Sequence, residues 1–425
     1  MSHVLLLPFG TEGSIYPFIW LGRLLRHHGH RVTLVTAGRY AETVAGAGLE
    51  FAQVEGEDGL ERMLAHPQLW QGNAGSQLSY RHSSRSTEGY VQAVEKLVAN
   101  GNAVDLMLAP MICFGARLLR EKLRIPLVTV HLYPLMFVSA HEPPLALPGF
   151  RLLRKLPLWV RKVVLAFPNP LDFFALPAVR ACCQQHGVRK PWSLWKQWWH
   201  SPDGVLALFP EWYVGPQPDW PQKLLQWDFP LEDMSESEVL SPKLNAFLDA
   251  GEAPVLFTPG TGHFHAHAFF ETAAELVRRL GCRAVFLTRK AEQVPDHLPP
   301  SILVESYAPF SRLLPRARAF VHHGGIGTVA QCLAAGISQL VVAMSLDQPD
   351  NADHVEQLGA GLGMNMRHFS VERALPLLKR CLTDASMQEN ARQYAARMAI
   401  RRDTGQLVAW LEKVISTGAG KDGSV

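Results

Sequence analysis

Short apolar runs alternate with helical patterns along most of this chain, and that alternation constrains the fold more than any other feature. Val4 to Leu7 reads as a buried strand followed by a glycine-rich turn. Ile19 to His28 reads as a helix ended by Gly29, and Val32 to Thr36 as the next strand. Asp105 to Ala109 and Pro126 to Val130 follow as strands, with the helical Ala116 to Lys122 between them. Val205 to Phe209 is expected to close this first sheet. A second series comprises Val255 to Thr258, Ala284 to Thr288, Leu303 to Glu305, Ala319 to His322 and Gln339 to Ala343, with helical patterns such as Phe269 to Leu280 and Val329 to Ala335 between. Uninterrupted apolar runs belong to strands covered on both faces, which is the condition of parallel β-α-β units. The fold class is therefore α/β, with two successive doubly wound parallel-sheet domains. In such sheets ligands bind beyond the carboxyl ends of the strands, so two facing units make a cleft with one ligand on each wall.

The chain has 425 residues. Single cores stop growing near about 250–300 residues, so length also asks for two domains. The division expected is an N-terminal domain over 1–231 and a C-terminal domain over 242–400, joined by the acidic, loop-like stretch Leu231 to Ser241. Residues 401–425 form a polar, glycine-rich end, with a last helix from Gln406 to Ile415 and a frayed tail from Gly418 to Val425. No short-period repeat interrupts this plan. A net charge of +3 is too small for a nucleic-acid binder. The six cysteines form no Cys-x-x-Cys pair, and Met1-Ser-His-Val4 runs straight into a strand. These features fit a reducing cytoplasm. No stretch reaches the roughly 18 apolar residues of a membrane span.

The chemistry concentrates at strand ends of the second domain. Ala319-Phe-Val-His-His-Gly-Gly-Ile-Gly-Thr328 is a strand running into glycines and then a helix. The glycines let backbone approach a ligand, and the helix N-terminus offers N–H donors and a positive dipole end, an arrangement that suits a diphosphate. His323 adds a hydrogen bond or a charge there. A tight strand–helix turn with a core histidine is the bland alternative. Neither the dinucleotide Gly-x-Gly-x-x-Gly pattern nor a Walker A loop is present. Ser345-Leu-Asp-Gln-Pro-Asp-Asn351 follows the next strand, placing Asp347 and Gln348 where a carboxylate and an amide suit paired sugar hydroxyls. Asn351 also reads as a helix cap. Phe257-Thr-Pro-Gly-Thr261 offers further donors to the same phosphates. Tyr307-Ala308-Pro309 offers a ring to a nucleobase, or an ordinary half-buried tyrosine.

These motifs resemble the GT-B fold UDP-glycosyltransferase superfamily (glycosyltransferase family 1), whose bacterial members carry a His-His-Gly-Gly-x-Gly-Thr turn and a later Asp-Gln pair. The opening Pro8-Phe-Gly-Thr-Glu-Gly-Ser-Ile-Tyr-Pro-Phe18 is similar to the superfamily's first acceptor-side loop, so the resemblance spans nearly the whole chain. Ser139-Ala-His-Glu-Pro-Pro144, His200-Ser-Pro-Asp-Gly-Val-Leu-Ala-Leu-Phe-Pro210 and Asp219-Trp-Pro221 bring it nearest to bacterial members such as the rhamnosyltransferases of rhamnolipid synthesis. The resemblance implies a GT-B architecture of two Rossmann-like domains. It implies that His323, Gly325, Gly327 and Thr328 hold the donor diphosphate with help from Thr261. Ala308 would lie by the base, Gln331 at the ribose position, and Asp347 and Gln348 at the donor sugar. The implied reaction is an inverting, metal-independent transfer of a sugar from a UDP- or dTDP-sugar to a hydroxyl of a hydrophobic, lipidic or aromatic acceptor. No cofactor is implied beyond the nucleotide-diphospho-sugar co-substrate.

The pattern breaks at the general base. The superfamily places a histidine or aspartate after the glycine that matches Gly13, and this chain has Ser14 there. Glu12, His131, His141 and Glu142 are the substitutes near predicted strand ends, with Glu12 and His131 first. Two rival readings stay open: a nucleotide-sugar 2-epimerase of the same architecture, and a non-catalytic nucleotide-sugar-binding subunit. His263-x-His265-x-His267 has the look of a metal cluster, but its flanking Gly-Thr-Gly favours a solvated loop. Arg151, Arg154, Lys155, Arg161 and Lys162 interleave with apolar residues from Leu152 to Val164. That stretch fits peripheral contact with an anionic membrane, and it equally fits a helix of the acceptor domain with snorkelling basic chains. The Trp192, Trp195, Trp198 and Trp199 cluster fits a bulky acceptor or a core.

Overall fold

The computed structural model describes residues 1–55, 62–63, 66, 69, 73–145, 150–167, 169, 172–231, 239–260 and 266–419. Its strands form two all-parallel sheets. In the first, β1 (His3–Leu6), β2 (Arg31–Ala37), β3 (Glu50–Val54), β4 (Leu106–Ala109), β5 (Leu127–His131), β6 (Gly204–Ala207) and β7 (Leu224–Gln226) lie in the order β3-β2-β1-β4-β5-β6-β7. In the second, β8 (Val255–Thr258), β9 (Ala284–Leu287), β10 (Ile302–Glu305), β11 (Ala319–His322), β12 (Ser338–Ala343) and β13 (Gly361–Asn365) lie in the order β10-β9-β8-β11-β12-β13. Both sheets are doubly wound. The order reverses between β1 and β4 in the first and between β8 and β11 in the second.

The central strands are apolar along most of their length, and β1, β4, β5, β8 and β11 are buried at every position. Three strands escape the sequence pattern: β3, β7 and β13. The first sheet therefore does not close at Val205 to Phe209, because β7 adds one more strand outside β6. The helix after β1 starts at Glu12, well before Ile19, and carries Pro17 inside it.

The last helix, Thr404–Ala419, returns to the first sheet rather than staying with the second. Leu407, Val408, Leu411 and Val414 are buried in the same core as Val128 and Val205. Arg402 donates from Nη1 to the Gln226 carbonyl at 2.7 Å, and its guanidinium stacks on Trp227 at 3.9 Å. Each buried leucine of this helix contributes about 2–5 kcal/mol against truncation to alanine, so the helix straps the C-terminal end of the chain to the N-terminal domain. The expected frayed tail starts later than Gly418, since the helix includes Gly418 and Ala419, and the rest lies outside the described residues.

The two halves also meet directly. Trp212 stacks on Tyr394 with ring centroids 5.1 Å apart, and Tyr213 contacts His354 at 5.4 Å. Arg154 of the first half donates to Asp353 at 2.6 Å and to the Pro143 carbonyl at 2.6 Å. The Leu145 amide donates to the fully buried Asp350 at 2.7 Å. A buried carboxylate needs such donors, because taking its charge out of water unpaired costs several kcal/mol.

Candidate active site

The switch point of the second sheet fixes the site. β8 and β11 run side by side with Thr258 opposite His322, so the loops leaving them emerge together. Gly260 and Gly324 both take the left-handed region, at φ +90° and +89°. They are needed for space as well as for φ. A Cβ on Gly260 would stand 2.7 Å from the His323 ring, and one on Gly325 would stand 2.6 Å from its Nε2. His323 is thus seated between two glycines. A Cβ on Gly324 would stand 2.5 Å from the Val341 side chain.

The neighbouring histidine has a different task. His322 is fully buried, and burial pushes its pKa down to about 3. Its Nε2 lies 3.0 Å from Gln339 Oε1, and its Nδ1 accepts from the Gly324 amide at 3.1 Å. A neutral imidazole with the proton on Nε2 satisfies both contacts. His322 shapes the turn, and His323 faces the loop from β8.

The helix Ile326–Ala335 begins at this turn. Ile326, Val329, Ala330, Cys332 and Leu333 are buried, leaving Gly327, Thr328 and Gln331 on its more open side. Nothing lies within 4 Å of the place a Cβ would take on Gly327. The N–H groups of a helix first turn, an open glycine and an adjacent histidine make an anion cradle.

One strand over, β12 ends at the Asp347 loop. Leu346 takes φ +59°, a left-handed conformation that costs a leucine of order 1–3 kcal/mol and turns the loop into the next helix, Gln348–Gln357. Burial raises the Asp347 pKa from the usual 3.8 to about 6, against hydrogen bonds from Asn351 and the Ile326 backbone that lower it. Gln348 is buried, and its Oε1 accepts from the Met344 and Ser345 amides at 2.8 and 3.3 Å. Its side-chain oxygen therefore builds the loop. Asn351 is fully buried and donates to both the Gly324 carbonyl (2.9 Å) and Asp347 Oδ2 (2.7 Å). It ties the glycine turn to the carboxylate loop. Sequence reasoning saw only a helix cap there; its spacing of four from Asp347 on a helix was the available signal.

Ala308 is buried behind β10 beside Leu313 and Leu314. Tyr307 is half-buried, with the Arg289 guanidinium 5.9 Å from its ring centre. Thr261, His263 and His265 lie outside the described residues. His267 sits 3.4 Å from Glu271 and 3.2 Å from the Gln293 carbonyl.

On the facing wall, in the first domain, Glu12 and Ser14 occupy the first turn of the helix Glu12–His27, at the carboxyl end of β1. Glu12 Oε1 meets Arg289 Nη1, at the carboxyl end of β9, at 2.6 Å, so this carboxylate spans the cleft. His131 is corrected from candidate base to core residue. It is 1% exposed, its Nε2 lies 3.0 Å from His200 Nδ1, and its ring packs edge-on against Phe137 at 4.8 Å. Burial drives its pKa down, and that of His200 to about 4. Glu142 accepts from Gln217 at 3.3 Å in a narrow crevice with Pro144, Arg154 and Trp220, while the His141 carbonyl accepts from Arg161 at 3.0 Å. Among the tryptophans, Trp198 and Trp199 are core, and Trp195 packs on Trp199 at 4.2 Å.

Among the described residues, one trio of possible metal ligands draws together: Glu88, Cys182 and His186. Glu88 accepts from Cys182 at 3.2 Å and pairs with His186 at 2.9 Å, and Lys122 Nζ lies 3.0 Å from His186 Nδ1. The trio is a closed hydrogen-bond network.

Residues 4–140 match the glycosyltransferase family 28 N-terminal domain, and residues 279–414 match the C-terminal domain of the erythromycin biosynthesis protein CIII-like family. The chain is 27% identical to O-mycaminosyltylonolide 6-deoxyallosyltransferase of Streptomyces fradiae, over 98% of each protein. It is 24% identical to a sterol 3-beta-glucosyltransferase of Debaryomyces hansenii over 95% of this chain, spanning 26% of that longer protein. The glycosyltransferase VinC, solved in complex with dTDP, superimposes with a TM-score of 0.69 at 18% identity, over 98% of this chain and all of that one. Two facing Rossmann-like sheets, with a glycine turn feeding a helix N-terminus at the second switch point, define a GT-B glycosyltransferase. Over nearly its whole length the chain is similar to glycosyltransferases of the UDP-glycosyltransferase superfamily, glycosyltransferase family 1.

Proposed function

We propose that this glycosyltransferase moves a sugar from a UDP- or dTDP-sugar to a hydroxyl of a hydrophobic acceptor, with inversion and without a metal. The observation that carries the reading is the seat of His323 between Gly260 and Gly325, at the open N-terminus of Ile326–Ala335 and linked through Asn351 to Asp347. The diphosphate would rest on the first-turn amides and His323, where the helix dipole and the imidazole stabilise the departing charge. Asp347 would hold sugar hydroxyls. The acceptor oxygen attacks the anomeric carbon from the opposite face. Glu12 is the acceptor-side carboxylate at the cleft, and in this reading it takes the acceptor proton in place of the missing base at Ser14.

The dTDP in the VinC complex supports a nucleotide-diphosphate donor, and the sterol named in the fungal relative supports an apolar acceptor. An amphipathic acceptor would be met at a membrane surface.

The test is incubation with a panel of UDP- and dTDP-sugars and of lipid and phenolic hydroxyl acceptors, with products followed by mass. Glycosylated acceptor plus free nucleoside diphosphate supports transfer. An epimerised donor formed without acceptor would replace this reading with a 2-epimerase. Donor binding without product across the panel would make the chain a binding subunit, the reading that Ser14 favours.

A further inference from the structure

The acceptor domain presents an apolar surface that its own core does not cover. The helix Leu158–Ala166 buries none of its residues. Trp159 and Val163, four apart on one helical stripe, and Phe167 just past the helix end are 70%, 54% and 67% exposed. Leu152, Leu158 and Val164 extend the surface, as do Phe173 and Trp192 from the neighbouring elements. These elements are joined: Lys196 donates to the Leu165 carbonyl at 2.6 Å, and Asp172 hydrogen-bonds the Ser193 hydroxyl. An exposed apolar patch of this kind marks an interaction site on a soluble domain.

Its charge selects the partner. No acidic residue occurs between Glu142 and Asp172, and Asp172 is itself buried. Five cations lie in that interval. Arg154 and Arg161 are spent inside, on Asp353 and Pro143 and on the carbonyls of Ala140, His141, Arg154 and Leu156. Arg151, Lys155 and Lys162 are exposed beside the apolar stripe. Aromatic and aliphatic side chains flanked by cations, with no anions among them, match the interface of an anionic bilayer. A core-facing helix with snorkelling basic chains, the other sequence reading, would bury its apolar stripe, and this one does not.

We propose that this face docks on anionic phospholipid membranes. Arg161 fixes the docking helix to the 139–145 segment, and Leu145 of that segment reaches Asp350, three residues from Asp347. The membrane-facing helix is thereby continuous with the wall of the sugar site, so an acceptor drawn from the bilayer enters beside it. The docking stands on the surface alone; the supply of acceptor rests on the transfer reading.

The test is flotation of the full chain with extruded vesicles of phosphatidylcholine, with and without phosphatidylglycerol, across a salt series. Wild type should float with the anionic vesicles and lose binding as salt rises. Each cation at the surface contributes about fivefold in partitioning, so the triple substitution Arg151→Gln, Lys155→Gln, Lys162→Gln should weaken binding on the order of 100-fold. Trp159→Ser with Val163→Ser should weaken it about tenfold or more. All these side chains are exposed, so unchanged circular dichroism and unchanged UDP binding are expected and separate docking from folding and from the donor site. No flotation of wild type, flotation of the variants equal to wild type, or a wild-type dimer that Trp159→Ser dissociates would each overturn the proposal.

Discussion

Replacing Asp347 with asparagine should stabilise the protein at pH 8 while impairing it. The Asp347 carboxyl is pushed up to about 6 by burial, from an ordinary 3.8. An acid whose folded pKa exceeds its unfolded one binds more protons in the folded state between those values. Stability therefore falls as pH climbs from about 4 to about 6, and stays lower above. Two pH units correspond to about 3 kcal/mol at most. The crevice is partly open to water, so about 1–3 kcal/mol is the working figure. Asparagine keeps one acceptor oxygen for the Asn351 and Ile326 donors, turns the other oxygen into an amide donor, and removes the charge. In a thermal denaturation series, Asp347→Asn should melt roughly 2–10 °C higher than wild type at pH 8, with the gap closing toward pH 4. Transfer should fall about 10–100-fold in kcat/KM if the carboxylate holds sugar hydroxyls. A variant no more stable than wild type at pH 8, or a gap that does not change with pH, would refute the burial argument.

Three further substitutions probe the surroundings. Asn351→Ala removes donors to Gly324 and Asp347 and should cost about 2–4 kcal/mol by denaturation; it should also move the Asp347 titration upward, which a pH–rate profile reads. Glu12→Gln should lower kcat by about 100-fold or more while changing stability by less than about 1 kcal/mol, because its partner Arg289 is substantially exposed; equal kcat would remove Glu12 as the base. Arg154→Met removes the cation that pairs with Asp353 beside Asp350 at the meeting of the two halves and should cost about 2–4 kcal/mol, seen as earlier cleavage in limited proteolysis.

The parts of this molecule that the sequence made legible are those where one physical demand dominates. Central parallel strands must be apolar on both faces, so β1, β4, β8 and β11 announce themselves. Edge strands carry no such demand. β3 (Glu50–Val54) is buried only at Val54, β7 has three residues, and β13 is Gly-Leu-Gly-Met-Asn, and all three passed unread. Pro17 and Gly13 disguised the first turns of the helix that starts at Glu12. At the site, the glycine turn was readable because positive φ and close approach leave few residue choices. Side-chain direction was not. His131 ends a strand as a ligand-facing residue would, yet it points into the core against His200 and Phe137. Gln348 and Asn351 looked like a ligand and a cap, and three-dimensional contacts across 27 residues of sequence gave Asn351 its linking task.

In the proposed mechanism a nucleoside diphosphate rests on the His323 turn. Titration calorimetry of UDP and dTDP onto wild type and His323→Ala measures it directly. A charge-assisted hydrogen bond to phosphate contributes about 1.5–3 kcal/mol, so the variant should bind about 10–100-fold more weakly with its fold intact. Equal dissociation constants for the two proteins would contradict the assignment.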